Sequence, residues 1–302
     1  MKRKHVSCVL VLVMAALCTL PMRAQQHFPH DLPAGNYSGI CPIGDDRYAV
    51  VSDKSAEDGF FVFQLTLDAG RQRVTAAKNE GFRSSGLQNR DMEGICYFPP
   101  AGTLFISGEA DNEVYEYQLD GRRTGRRLAM PDEFHRARRN LGLESLTYDT
   151  LRHRFYTTTE RPLPGDSLLR IQAFGDDLQP AGQWLYKPDA PLSRKHYHGV
   201  AELLATGDGR LLVLERQLRV PKKKIGATTL IRLYEVSLSE DERLLQKRLV
   251  KEFRTRLTLT SRKFANYEGM CQPCPGLLLM IADSQNQYQG VLHDWLLLIK
   301  GI

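Results

Sequence analysis

The chain is short of long apolar runs, of cysteine, of charge of one sign and of helical periodicity, and each shortage removes a class of protein. Its longest apolar stretch, about Val6 to Leu20, falls below the roughly 20 residues that cross a bilayer. Nothing later approaches that length, so no membrane-spanning segment is expected in the mature chain. Six cysteines in 302 residues are too sparse for a disulfide scaffold, and Cys271-Gln272-Pro273-Cys274 without a second such pair makes no zinc site. Cys271 and Cys274 could close a small disulfide in an oxidising compartment, and the sequence leaves that open. No Gly-x-Ser-x-Gly elbow marks a serine nucleophile. No compact Asp-rich loop supplies a dedicated calcium cage.

The first residues have a function of their own. Met1-Lys2-Arg3-Lys4, the apolar run and then Pro21-Met22-Arg23-Ala24-Gln25 follow the order of a secretory signal cleaved after Ala24. Residues 1–24 are therefore expected to be removed, leaving 25–302 as one exported domain, periplasmic or secreted. A lipid anchor on Cys18 is disfavoured by Leu17, where lipoprotein processing prefers a small residue. Four of the 41 Lys/Arg lie in the signal, which leaves 37 against 35 Asp/Glu. The formal charge of +6 is thus partly the signal's, and no nucleic-acid partner is expected. Lys222-Lys223-Lys224 and Arg136 to Arg139 read as solvated loop or helix faces.

What is present is an internal repeat. Asn36-Tyr37-Ser38-Gly39-Ile40, Asp91-Met92-Glu93-Gly94-Ile95, Gly142-Leu143-Glu144-Ser145-Leu146, Val200-Ala201-Glu202-Leu203-Leu204 and Asn266-Tyr267-Glu268-Gly269-Met270 align, with key positions 55, 51, 58 and 66 residues apart. Each is followed by a turn and a β-rich run ending in an acid: Asp53, Glu109, Glu160, Glu215 and Asp283. A third run follows in all five units, from Phe60, Val114, Leu168, Leu230 and Trp295, and a weaker fourth in four of them. Short runs rich in β-branched and aromatic residues and divided by turns exclude a helical solenoid. Four strands per radial repeat give an all-β propeller of five blades, with six as the alternative. The last unit runs out of chain after three strands, so residues from about Gln25 to Leu32 are expected to close the ring. The one expected helix spans Asp132 to Asn140, after Pro131.

The repeat also places the acids. Glu93 and Glu109 bracket one hairpin, as do Glu144 and Glu160, Glu202 and Glu215, and Glu268 and Asp283, at separations of 16, 16, 13 and 15 residues. In the first unit Ser38 faces Asp53. Opposed residues of an antiparallel pair lie about 5 Å apart. With the first strand of every blade innermost, nine carboxylates should gather at one mouth of the central channel, where they raise one another's pKa or recruit cations. Lys54, Arg161 and Arg216, each following the second acid, and Arg90 beside Asp91 are the internal cations available. A hard divalent cation such as Ca²⁺ is the external one. His198, in His196-Tyr197-His198, is a further candidate ligand or acid/base. Cys41, Cys96 and Cys271 each fall three residues after the key position and read as small buried residues of the inner strand.

The chain resembles the bacterial exported family called "esterase-like activity of phytase", the phytase-like domain. The resemblance rests on Asp91 to Ile95, Leu143-Glu144-Ser145-Leu146 with Tyr148-Asp149, Gly199 to Leu203 before Leu211 to Arg216, and Asn266 to Met270. It implies a propeller hydrolase acting on small-molecule esters, phosphate esters foremost, with metal assistance; a monomer is the separate expectation. On that expectation Glu93, Glu144, Glu202 and Glu268 are the catalytic candidates. Lys54, Arg161, Arg216 and His198 are the substrate-binding ones. Asp53, Glu93, Glu109, Glu160, Glu215, Glu268 and Asp283 are the metal-ligand candidates, with calcium the expected ion. The alternative is a non-catalytic envelope propeller that binds a peptide, glycan or cationic ligand at the same mouth.

Overall fold

The computed structural model describes residues 25–302 apart from 30, 71, 207, 240 and 285–294. The expected signal segment, residues 1–24, lies outside the described residues. Five antiparallel sheets stand in a ring, so the repeat resolves as five blades. Strand β1 (Gln25–His27) comes first in the chain but belongs to the last blade. Blade 1 holds β2 (Tyr37–Gly44), β3 (Arg47–Ser52), β4 (Glu57–Asp68) and β5 (Arg73–Gln88). Blade 2 holds β6 (Met92–Phe98), β7 (Thr103–Gly108), β8 (Glu113–Tyr117) and β9 (Arg123–Arg127). Blade 3 holds β10 (Leu143–Asp149), β11 (Arg154–Thr159), β12 (Leu169–Gly175) and β13 (Pro180–Tyr186).

Blade 4 consists of β14 (Tyr197–Ala205), β15 (Arg210–Arg219), β16 (Thr228–Ser237) and β17 (Lys247–Leu257), with a two-residue fifth strand, β18 (Arg262–Lys263). Blade 5 consists of β19 (Asn266–Cys274), β20 (Leu277–Asp283) and β21 (Trp295–Lys300). Its outer strand is β1, paired antiparallel with β21 through Gln25 opposite Leu297. Strand β1 thus supplies the expected fourth strand of the last blade and closes the ring.

Packing between blades explains the apolar runs of the second strands. All seven residues of β20 are buried. Leu278, Met280 and Ala282 face blade 4, while Leu277, Leu279 and Ile281 face blade 1. A strand covered on both faces needs apolar residues at every position, and each fully buried Leu, Ile or Met contributes roughly 1.5–3 kcal/mol. Five such inter-blade layers form the core.

The inner strands touch one another around the channel in the order β2, β6, β10, β14, β19 and back to β2. The motif glycines are explained by that contact. A Cβ on Gly39 would meet the Glu93 carbonyl oxygen at 2.5 Å, and one on Gly94 the Leu146 nitrogen at 2.4 Å.

The expected helix is a single 3₁₀ turn, Asp132–Arg136, anchored by buried Phe134. From Asp132 to Asn140, Phe134 is the one large apolar residue among charged neighbours, so a longer helix would have no face to bury. Cys41, Cys96 and Cys271 are buried and Cys274 is exposed, and all four are unbridged thiols. Among the described residues no helix is long and apolar enough to cross a membrane.

Candidate functional site

At the end of the ring where each first strand begins and each second strand finishes, a cavity of about 510 Å³ opens. It is lined by Asp53, Asp91, Glu93, Glu109, Glu144, Glu160, Glu268 and Asp283, with Lys54, Lys195 and Arg216 as its cations and Tyr197 on one wall. Seven of the nine expected carboxylates are therefore brought together. Glu202 and Glu215 are not among them.

Strand register gives the reason. In blades 1, 3 and 5 a β-bulge leaves Ser38, Glu144 and Glu268 unpaired, and blade 2 has an irregularity spanning Glu93 and Gly94. Such a bulge re-aims a side chain next to a site. In blade 4 the bulge falls between Val200 and Glu202, so Ala201 takes the acid's place. Gly199 is paired with Arg216 just as Asn266 is paired with Asp283, so Arg216 stands where other blades put their second acid. Blade 4 thus presents Ala201 and Arg216 to the mouth.

Glu202 instead occupies the position of the motif glycines, and one of its oxygens accepts the N–H groups of Leu203 (3.0 Å) and Leu146 (3.2 Å). Burial pushes its carboxyl well above the usual range, against the lowering effect of those two N–H groups. Glu215 turns to the seam between blades 3 and 4. There it accepts the Tyr186 hydroxyl (2.5 Å), the Asp189 N–H (2.8 Å) and the Lys247 ammonium (2.6 Å). Glu202 as a catalytic residue and Glu215 as a metal ligand are accordingly set aside.

The mouth has two electrostatically different halves. In one, the buried Arg216 guanidinium donates to Glu268, to Glu144 Oε1 (3.0 Å) and to Glu160 Oε1 (3.2 Å). Glu268 also accepts from Asn266 Nδ2 at 2.8 Å, and Glu160 from the Tyr197 hydroxyl. Burial raises Glu144, Glu160 and Glu268, and Arg216 opposes the rise in each.

In the other half, Asp53, Asp91 and Glu93 each place an oxygen within 4.8 Å of the other two. The exposed Lys54 ammonium sits 2.7 Å from Asp53 and 2.9 Å from Asp91. Glu93 is only 8% exposed and its carboxylate takes no hydrogen bond from the described residues. Burial and then Glu144, Glu268, Asp53 and Glu109 push it well above the ordinary carboxyl range. Asp53 Oδ1 is likewise buried without a partner among the described residues.

Asp91 holds a left-handed backbone, φ 57°, fixed by Asn89 Oδ1 accepting its N–H and by Glu109 N–H donating to its carbonyl at 2.8 Å. A strained residue at a cavity wall is a functional signature. Its sequence signal was its place: of the five motif copies only this one opens with an acid. Between the halves lies Glu109, which accepts the Gly142 N–H (2.9 Å) and is raised to about 7, chiefly by burial.

The remaining candidates divide. Lys54 and Arg216 reach the mouth. Arg161 lies behind its wall, donating to the His198 carbonyl at 2.8 Å and stacking its guanidinium 4.5 Å over the Tyr197 ring. His198 does not line the cavity. Arg90 is buried inside blade 2 against Asp111 at 2.8 Å. Tyr197 and Lys195 are wall residues that the repeat did not single out, because both lie on the loop and strand start before the fourth motif rather than within it.

Residues 32–283 match the family model described as phytase-like, esterase-like activity of phytase. The chain belongs to that family. No curated protein matches it. Solved structures similar to this phytase-like propeller include a streptogramin B lyase, 11% identical with a TM-score of 0.41, covering 85% of this chain and 79% of that one. Another is virginiamycin B lyase from Staphylococcus aureus, 9% identical with a TM-score of 0.40, covering 91% and 98%. A protein of unknown function from Bacteroides thetaiotaomicron is 9% identical with a TM-score of 0.44, covering 92% and 72%. At those TM-scores nothing about the chemistry of the mouth is carried across.

Proposed function

We propose that this phytase-like propeller hydrolyses esters at its acidic mouth, phosphate esters foremost, with a divalent cation of the calcium type held by Asp53, Asp91 and Glu93. The observation that carries the reading is the convergence of those three carboxylates within 4.8 Å while Arg216 occupies the carboxylates on the opposite wall. The donor set fits: all oxygen, with Asp53 Oδ1 buried and without a hydrogen-bond partner among the described residues. Bound there, such an ion supplies Lewis-acid polarisation of an ester oxygen and a more acidic water.

The chain's own residues do the rest. Arg216 holds Glu144, Glu160 and Glu268 in place and keeps that wall from repelling an anionic substrate. Lys54, held only by exposed contacts to Asp53 and Asp91, and exposed Lys195 at the rim meet the substrate's negative oxygens. Glu109 Oε1 accepts the Gly142 N–H, which leaves its second oxygen to take the proton of an attacking water. The signal-like order of residues 1–24 supports an activity in the periplasm or outside the cell.

The test is a panel of phosphate monoesters and carboxylic esters assayed in Ca²⁺ and in chelator. Turnover that depends on the ion and falls in Glu93→Gln supports hydrolysis. A second reading is favoured by Lys54 itself, since an ammonium already satisfies Asp53 and Asp91. On that reading the mouth binds a cationic ligand without turnover. Binding of a lysine-rich peptide, with no hydrolysis across the panel, would establish it instead.

A further inference from the structure

A second cavity, of about 200 Å³, is lined by Arg152, Arg154, Tyr156, Trp184 and Leu238. Strand β10 leaves the mouth near Glu144 and β11 returns to it near Glu160. Arg152 and Arg154 sit at the turn between them, with Asp149 paired to Arg154, and so belong to the opposite end of the ring. None of these residues lines the mouth.

Their chemistry is the reverse of the mouth's. Arg154 makes no ion pair among the described residues, and Arg152 has one long contact, 3.4 Å to Asp149. Tyr156 is 1% exposed, and its hydroxyl is buried without a hydrogen-bond partner among the described residues. Leaving such a group unpaired is costly, and a ligand oxygen would recover that cost. Burial and then Asp149 raise the phenol to about 12, with Arg152 and Arg154 opposing, so both guanidiniums act on the hydroxyl and it is a donor at neutral pH. Trp184 is held by its indole N–H donating to the Ser239 carbonyl at 2.6 Å, and its ring centre lies 6.2 Å from that of Tyr156. Two forked cations and a hydroxyl donor match an oxyanion. The Trp184 ring and Leu238 match a flat apolar body. A volume below the roughly 300–1,000 Å³ of drug-sized sites limits that body to about one ring.

We propose that this cavity binds a small oxyanion, a carboxylate or a phosphate, carried on a single flat ring. The chain has two tryptophans, so Trp184 fluorescence reports occupancy once its signal is separated from that of Trp295 by Trp184→Phe. Benzoate, phenyl phosphate and inorganic phosphate are titrated into the protein at low salt, with benzylamine as the cation of matching shape. The expected result is a saturable change with benzoate or phenyl phosphate, weaker with inorganic phosphate, absent with benzylamine and lost in Trp184→Phe. Arg154→Gln and Tyr156→Phe should each weaken the binding roughly tenfold. Glu93→Gln, at the far end, should leave it unchanged. Should Tyr156→Phe fail to fold, the half-buried Arg154 position carries the test by itself. No saturable response to any of the three anions overturns the proposal. So does a response that survives Trp184→Phe, or an affinity unchanged in Arg154→Gln.

Discussion

The two halves of the mouth are built from the same repeat and end in opposite states. On the wall formed by blades 3, 4 and 5, Glu144, Glu160 and Glu268 share one buried guanidinium, that of Arg216. On the wall formed by blades 1 and 2, Asp53, Asp91 and Glu93 have only Lys54, an exposed side chain with an ammonium held from outside. The difference traces to blade 4, where Ala201 and Arg216 replace an acid pair. One blade's cation neutralises one wall internally, and the other wall is left with the demand for an external cation. Symmetry built the cavity, and its local breaking decides where a ligand goes.

The largest expected effect comes from removing the internal cation. Arg216→Met strands three buried carboxylates, and losing one partner of a buried ion pair costs about 3–5 kcal/mol. Melting should fall by on the order of 10 °C, with part of the loss restored by adding Glu268→Gln. A fall no larger than that of Lys54→Met would erase the distinction between the walls.

On the open wall the effects move from stability to binding. Glu93→Gln should weaken Ca²⁺ affinity at least roughly 100-fold while leaving the melting temperature close to that of the parent. Smaller still, Lys54→Met should change stability by less than about 1 kcal/mol, because the lysine side of the pair is exposed. It should also strengthen Ca²⁺ binding several-fold by vacating Asp53 and Asp91.

The raised carboxyls give a pH signature. Glu93, Glu109, Glu144 and Glu268 have folded pKa values above their unfolded ones, so between those values the folded state binds more protons than the unfolded. Stability therefore falls as pH rises from about 4.5, the ordinary Glu value, and for Glu109 the fall continues to about 7. Melts in chelator should be higher at pH 5 than at pH 8, and saturating Ca²⁺ should flatten the difference by favouring the ionised forms.

Much of this was legible in the residues. The spacing of the five motifs gave the blades, the truncated fifth unit gave the closing strand, and the hairpin geometry brought seven carboxylates to one cavity. Blade 4 escaped because Glu202 looks like the other motif glutamates while its bulge lies one residue earlier. Hairpin length carried the warning. Glu202 and Glu215 are 13 residues apart, whereas Ala201 and Arg216 are 15 apart, as are Ser38 and Asp53 and also Glu268 and Asp283. Which cation serves which acid was not legible, since Arg161 and Arg216 follow their acids identically in sequence. The register turns one behind Tyr197 and the other into the mouth. Asp91 needed its left-handed backbone to be seen as a wall residue.

Calorimetric titration of Ca²⁺ into the chelator-treated protein, alongside Glu93→Gln and Arg161→Gln, bears most directly on the open wall. The expected result is one saturable site in the parent, retained in Arg161→Gln and lost or severely weakened in Glu93→Gln. No binding in the parent, or equal affinity in all three proteins, would contradict a cation held by Asp53, Asp91 and Glu93.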